Sequence, residues 1–426
     1  MKGALVFIGD ELVSGVVVNT NIIVATRELS SHGFQVREIV TIPDDLSLVK
    51  SYLQDLAVKY SFLVLSGGLG PTDDDLTNQA VADALGLNLI ENQEISKAIT
   101  DSKEYASSQE IARKMSLLPE GAVPLADNLT MAGYLLDFKE KLIFVLPGVP
   151  HQFEYLLTQK VLPLLSQRFK AEGLELSKSL RFFDLNETDL NLFLNLFLKD
   201  YTLNAQDLKI GYYPLWPEVK LVVRSKNQGL LSEVISELKK KFRVSLVSEE
   251  DLSLVEVVGS LLIERGKKVA VAESCTGGML ASLLTSVAGS SNYFERGWVT
   301  YSPESKMDLL GVKKEHIEQF GMVSYQVALD MAEGVRRQVK VDFAIGITGY
   351  AGPGGGTSEN PVGTVYIGLA YQNKVKAFNF GFYGLGRREV QLISSYTALD
   401  MLRRLILYDE SFLRYRFALG VEERSC

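Results

Sequence analysis

Short apolar runs recur along this chain, and most of them end in glycine. ALVFIG (4–9), FLVLSGG (62–68) and KLIFVLPG (141–148) read as buried strands, as does FQVREIVTI (34–42), which stops at Pro43. Patterns of helical period lie between them, such as NIIVATRELSSHG (21–33), closed by Gly33. This alternation over residues 1–170 predicts crossover helices on a mostly parallel sheet, with ligands held beyond the carboxyl ends of the strands. Residues 251–415 repeat the scheme. The helix LVEVVGSLLIERG leads to the strand KKVAVAES, the helix GGMLASLLTSV, the strand GWVTYS, the helix YQVALDMAEGVRRQ and the strand DFAIGITG. Two adjacent strands, GTVYIGLAY and KVKAFNFGFY, and the long helix RREVQLISSYTALDMLRRL complete it. Residues 171–250 differ, with two short strands around a Pro-containing turn in KIGYYPLWPEVKLVVRSK and a helix with a cationic end in LLSEVISELKKKF. The expected fold class is α/β: two α/β domains with mostly parallel sheets flanked by helices, 1–170 and 251–415. A small α+β connector, 171–250, joins them, and a tail, 416–426, follows.

Composition narrows the function. A chain of 426 residues suits about two to four domains. Its net charge of -8 argues against nucleic acid as a partner. Two cysteines and three histidines, His32, His151 and His316, are too few and too scattered for a disulfide framework or a zinc site. A metal would be a hard cation held by carboxylates. The first apolar run is too short for a signal peptide, and no stretch approaches the ~20 apolar residues of a membrane span. The expected setting is cytoplasmic, with no membrane partner.

Three stretches of the last domain carry chemistry. In VAVAESCTGG, the hydroxyl and thiol residues Ser274, Cys275 and Thr276 stand at a strand-to-helix junction before Gly277 and Gly278. Free backbone N–H groups there can hold an oxyanion, although Ser274 or Thr276 as a mere helix cap is the bland alternative. No histidine has a context that marks it as a base. Tyr301, Ser302 and Lys306 follow the next strand, and a buried lysine can serve as the base in place of a solvated one. GITGYAGPGGGT then offers a glycine loop that could present amides to a phosphate, with Arg387 and Arg388 opening the last helix. Neither a Walker motif nor a dinucleotide fingerprint is present. Together these suggest serine-based acyl transfer next to a phosphate pocket.

AESCTGG, YS-x3-K, GITGYAGPGGGT-x3-PVGTV and RREV resemble the C-terminal domain of the CinA family, the nicotinamide mononucleotide (NMN) deamidases. The resemblance implies hydrolysis of the nicotinamide amide to nicotinate mononucleotide and ammonia, without a cofactor. It implies Ser274 as nucleophile, Lys306 as base and Tyr301 as an aid to proton transfer. Thr276, Gly277, Gly278, Thr348, Gly352, Gly354 and Gly355 would line the substrate, and Arg388 would hold its phosphate. Cys275 would be a packing residue. Arg387 and Gln391 depart from the family pattern, which often has an acidic residue and a second arginine in those places.

In the first domain, IGDELVSGVVVNTN (8–21) and LSGGLGPTDDDLTNQA (65–80) place a glycine turn and three carboxylates at a helix start. Amides could hold phosphate there while carboxylates hold a bridging cation; the bland alternative is a capped helix terminus. These runs, with LPGVP (146–150), resemble the molybdopterin-binding (MoaB/MogA-like) fold and the N-terminal half of CinA. The resemblance implies metal-dependent hydrolysis of ADP-ribose at its pyrophosphate. The matched residues are Asp10, Glu11, Asn21, Asp44, Gly67, Gly68, Gly70, Thr72, Asp74, Asp75 and Thr77. Asp75 and Asp74 would carry a divalent cation such as Mg, with a monovalent cation as a further candidate. LTMAGY (129–134) and His151, Gln152 and Phe153 depart from the pattern, so binding is expected to outlast hydrolysis. The connector is expected to be KH-like, yet it shows no GXXG loop, so RNA binding is not supported. The expected partners are small nucleotides, NMN and ADP-ribose, and a second copy of the chain in a homodimer. Two other readings stand: an N-terminal half that binds or adenylylates a pterin, and a non-catalytic factor linked to competence or DNA damage.

Overall fold

The computed structural model describes residues 1–102, 108–169, 176–199 and 207–425. The chain divides into two compact units, Met1–Glu175 and Leu176–Cys426.

In the first unit, β1 (Lys2–Ile8), β2 (Gln35–Ile42), β3 (Phe62–Ser66), β6 (Val123–Pro124), β7 (Tyr134–Phe138) and β8 (Lys141–Leu146) form one sheet in the order β2-β1-β3-β8-β7-β6. A separate antiparallel ribbon joins β4 (Leu89–Glu91) to β5 (Leu117–Pro119). β2, β1, β3 and β8 run parallel, with Val6 opposite Val40 and Leu65, and Leu65 opposite Val145. The continuous apolar runs follow from burial on both faces. Ala4, Val6 and Ile8 pack on helix Leu46–Lys59 through Val49, Leu53 and Leu56. Leu5 and Phe7 pack on helix Thr20–Ser31 through Ala25 and Leu29. Because these strands are parallel neighbours, Gly9, Gly67 and Gly148, which follow β1, β3 and β8, come to one edge.

The second unit holds two sheets. β9 (Leu176–Phe182), β10 (Leu208–Leu215), β11 (Glu218–Ser225) and β12 (Leu246–Ser248) form an antiparallel sheet in the order β10-β11-β9-β12. Helices Glu187–Lys199 and Gln228–Lys241 cover it, with Leu190, Leu194, Val234 and Leu238 on Leu180, Leu221 and Val223. This module packs within the second unit. β13 (Val269–Glu273), β14 (Phe294–Val299), β15 (Phe343–Gly349), β16 (Thr364–Tyr371), β17 (Lys374–Gly381) and β18 (Ala418–Ser425) form the other sheet, in the order β14-β13-β15-β16-β17-β18.

That sheet is mixed. β14, β13 and β15 are parallel, and the remaining pairs are antiparallel. Two residues, Gln372 and Asn373, connect β16 to β17, which is enough for a hairpin and too short for a crossover. The stretch expected to be a tail also differs. Residues 418–425 pair with β17 and cap an edge whose N–H and C=O groups would otherwise lie open. Among the described residues, no helix is long and apolar enough to cross a membrane.

Candidate active site

In the second unit, β13 delivers Glu273 and Ser274 to the carboxyl edge of the parallel strands. Ser274 N–H donates to the Ile347 carbonyl at 3.0 Å, which ties the residue to β15. The chain then turns through Gly277 and Gly278, both at positive φ (62° and 95°), before helix Met279–Thr285 begins. The N-cap position is Gly278, so no side chain there caps the helix. The buried carboxylate of Glu273 does it instead, accepting from the N–H groups of Gly278 (3.1 Å), Leu280 (3.0 Å) and Ala281 (2.8 Å). The Ser274 hydroxyl is therefore free of capping duty.

Lys306 reaches it from helix Pro303–Leu310, which Ser302 starts by accepting from Ser305 N–H at 3.1 Å. The Lys306 amino group lies 3.0 Å from Ser274 Oγ and donates to the carbonyls of Thr300 (2.6 Å) and Tyr301 (3.2 Å). The lysine is only 1% exposed, and Ser274 is buried beside it. Desolvation lowers the Lys306 pKa to about 8, so a usable fraction is neutral near pH 7. Cys275 packs in the core, where burial pushes its thiol up to about 12.

The N–H groups near Ser274 divide into two sets. Those of Gly277 and Gly278 are taken, by the Ser274 carbonyl and Glu273 respectively. Among the described residues, those of Cys275 and Thr276 meet no carbonyl or carboxylate. The candidate donors at this junction thus narrow to those of Cys275 and Thr276. Thr276 is buried with an unpartnered hydroxyl, and so is Thr300. Unsatisfied buried groups at a polar edge fit a site that takes a polar ligand.

The remaining residues of this set are distributed unevenly. Tyr301 is 60% exposed, and its hydroxyl accepts from Arg387 at 3.3 Å rather than meeting Ser274. Arg387 also donates to the Gly352 carbonyl at 2.7 Å, so it links the glycine loop to Tyr301. Arg388, one residue on, is exposed and makes no hydrogen bond or ion pair among the described residues. Thr348 is buried on β15 and donates to the Met322 carbonyl at 2.8 Å, with its lone pairs still available. Gly352 is buried, whereas Gly354 and Gly355 lie on the exposed part of the loop. Gln391 donates to the Cys275 carbonyl at 2.8 Å, and its amide lies 4.0 Å from where a Cβ on Gly277 would be. Sequence reasoning gave no role to Glu273, and it read Arg387 as a phosphate partner rather than a link between Gly352 and Tyr301. A carboxylate closing an apolar run was the one signal for the first.

In the first unit, the edge described above opens a cleft of about 690 Å³ lined by Glu11, Asn21, Asp44, Gly68, Asp74 and Asp75, among others. Asp10 and Asp44 exchange backbone-to-carboxylate bonds, Asp10 N–H at 3.0 Å and Asp44 N–H at 3.3 Å. Partial burial, together with the charges of Asp10, Glu11 and Asp74, holds the Asp44 carboxyl above its usual range against the bond from Asp10. Asn21 donates to the Gly148 carbonyl at 2.9 Å, and Thr77 to the Gly67 carbonyl at 2.9 Å; both are structural bonds. One oxygen of Asp75, Oδ2, accepts from both Thr72 N–H (2.9 Å) and hydroxyl (2.6 Å), and the carboxylate fills the space a Cβ on Gly70 would need. Lys114 donates to the Thr72 carbonyl and pins the same loop. Among the described residues, no three His, Cys, Asp or Glu side chains converge into a ready-made metal cage. A hydrated Mg-type cation asks for less, one or two carboxylates plus substrate phosphates, and the oxygen-only lining of Glu11, Asp44 and Asp74 fits it.

Known proteins share both units. Residues 4–167 match the family model described as "Probable molybdopterin binding domain", and residues 251–406 match the "CinA C-terminal domain". A CinA-like protein of Syntrophobacter fumaroxidans is 37% identical over 98% of this chain and 98% of its own length. One from Rippkaea orientalis is 37% identical over 96% of this chain and the whole of its own. Among solved structures, the competence/damage inducible protein CihA from Agrobacterium tumefaciens is 41% identical, covering 36% of this chain and 96% of its own, at a TM-score of 0.35. With full-length relatives matched end to end and both domain models in order, this chain belongs to the CinA family.

Proposed function

We propose that the second unit hydrolyses the carboxamide of nicotinamide mononucleotide to nicotinate mononucleotide and ammonia. The observation that carries this reading is the buried pair of Ser274 Oγ and Lys306 Nζ, 3.0 Å apart, with the amine's pKa drawn down to about 8. Neutral Lys306 takes the Ser274 proton as Oγ attacks the carboxamide carbon. The oxyanion forms against the unengaged N–H groups of Cys275 and Thr276. Lys306 returns its proton to the leaving nitrogen, and ammonia departs. Water then attacks the acyl ester, giving one proton to Lys306, which passes it to Ser274 Oγ as nicotinate leaves. Arg388 and the 352–355 loop supply cationic and amide donors suited to the phosphate. The reading is tested by ammonia release from this substrate without added metal, wild type beside Ser274→Ala. Release by the wild type alone supports it; release by neither removes it.

For the first unit we infer hydrolysis of the pyrophosphate of ADP-ribose. The glycine turns after β1, β3 and β8 and the carboxylates around them support it. A divalent cation bound there would neutralise phosphate charge. The protein's own part is to seat the phosphates on the 67–70 turn and to aim Glu11, Asp44 and Asp74 at the cation side. A pterin remains the second ligand for this cleft. Whether ADP-ribose or molybdopterin raises the melting temperature separates the two.

A further inference from the structure

The second unit holds a cavity that the chemistry above does not use. It has a volume of about 400 Å³ and lies between the antiparallel module of β9–β12 and the β17 side of the larger sheet, far along that sheet from β13. Its walls are aromatic. Phe380 and Phe382 stack at 5.5 Å, and Phe417 meets Phe382 edge-on at 5.9 Å. At the mouth, Phe417 and Trp216 are 51% and 46% exposed, a high value for two large apolar side chains that share one rim.

Three polar features single out an occupant. The Tyr415 hydroxyl is buried at the cavity without a hydrogen-bond partner. Glu218 lines the cavity while only 3% exposed; one carboxyl oxygen accepts from Leu254 N–H at 3.1 Å, and the other has only Arg181, at 3.7 Å. Glu187 also lines it and makes no ion pair among the described residues. The cationic side chain of the lining, Arg416, is taken by Asp189 at 2.7 Å. Asp184, also in the lining, is paired with Arg404 at 3.2 Å, so the balance inside the flat aromatic walls is negative through Glu187 and through a Glu218 that Arg181 meets only at 3.7 Å. Burial raises the Glu218 pKa to about 7, and a cation nearby would hold the carboxylate ionised.

We propose that this cavity is a binding site for a small planar heteroaromatic cation, stacked among Phe382, Phe417 and Trp216 and paired with Glu218. One or two fused rings fit its volume, and a mostly apolar cavity with few convergent polar groups is the usual form of a small-molecule site. Cation–π attraction to the rim and the charge of Glu218 act together on such a ligand.

The test uses the full-length chain carrying Trp298→Phe, so that Trp216 is its one tryptophan. The probes are 4-aminoquinoline, a flat cation, and 2-naphthoate, a flat anion of similar size. Saturable quenching of Trp216 by 4-aminoquinoline is expected, with 2-naphthoate at least about tenfold weaker. Glu218→Gln keeps the bond to Leu254 and should weaken the amine at least about tenfold; the exposed Phe417→Ala should do so through the wall. The proposal is overturned by absent saturation, by equal binding of the two probes, or by neither substitution mattering. It is overturned equally if the amine fails to bind while Phe417→Ala splits a dimer, since the cavity is then an interface between copies.

Discussion

The carboxylate of Glu273 accepts from the N–H of Ala281 at 2.8 Å, reaching past Ser274, which follows it, to hold the next helix. It fixes Ser274 between a strand and a helix and leaves the Cys275 and Thr276 N–H groups open to a ligand. Glu273→Gln loses the charge and one acceptor, at a cost of about 2–4 kcal/mol. We expect a lower melting temperature and a kcat for amide hydrolysis down by about 10²-fold, since small misplacements at a reacting centre are costly. An unchanged kcat would mean that the helix holds its place without it.

The pH dependence follows from Lys306. Its base form is the neutral amine, so kcat/KM should climb with pH and level off above about 8, where the lowered pKa lies. Lys306→Arg stays charged at every accessible pH and should lose more than about 10³-fold with no recovery in alkali. A profile flat from pH 6 to 9 would exclude Lys306 as the base.

Arg387 and Arg388 should separate in kinetics. Arg388→Ala removes a free guanidinium, and we expect KM to rise about tenfold or more with kcat within about twofold. Arg387→Ala cuts the tie between Gly352 and Tyr301 and should lower kcat as well. Equal effects on KM alone would assign both to the phosphate.

In the first unit, Asp74→Asn should weaken the cation dependence of ADP-ribose cleavage. Asp75→Asn should loosen the 70–75 loop that Asp75 and Thr72 hold closed, lowering the melting temperature by a few degrees as a ~1–2 kcal/mol loss implies. Titrating Mg against each variant distinguishes them, because only the first should shift the midpoint without a change in stability.

These contrasts mark what the sequence could carry. Parallel strands buried on both faces announce themselves as unbroken apolar runs, so β1, β3, β8 and β13 were legible, and the turns after them carry both candidate sites. Ser274 and Lys306 stood out because hydroxyl and amine residues at strand ends have few structural reasons to be there. Glu273 did not, because its partners are backbone N–H groups, which no side-chain pattern reveals. The division of labour between Arg387 and Arg388 depends on the rotation of one helix turn, and the spacing of two adjacent residues does not fix it. A carboxylate that closes a tight turn and one in a metal shell share the same local sequence, so the bonds from Thr72 to one oxygen of Asp75 were not legible. Residues 418–425 read as a tail because their pairing partner, β17, lies some 40 residues back, and an edge strand with one face in solvent carries little apolar signal.

The buried thiol of Cys275 has a consequence for chemical probes. A cysteine next to Ser274 invites thiol-directed reagents, yet a thiol pushed up to about 12 has almost no thiolate at neutral pH, and the core around it shuts out iodoacetamide. Electrophiles that seek an activated hydroxyl, such as boronates and fluorophosphonates, should find the neighbouring position instead. A covalent inhibitor of this site is therefore a serine reagent, and resistance to alkylation is no evidence that the site is closed.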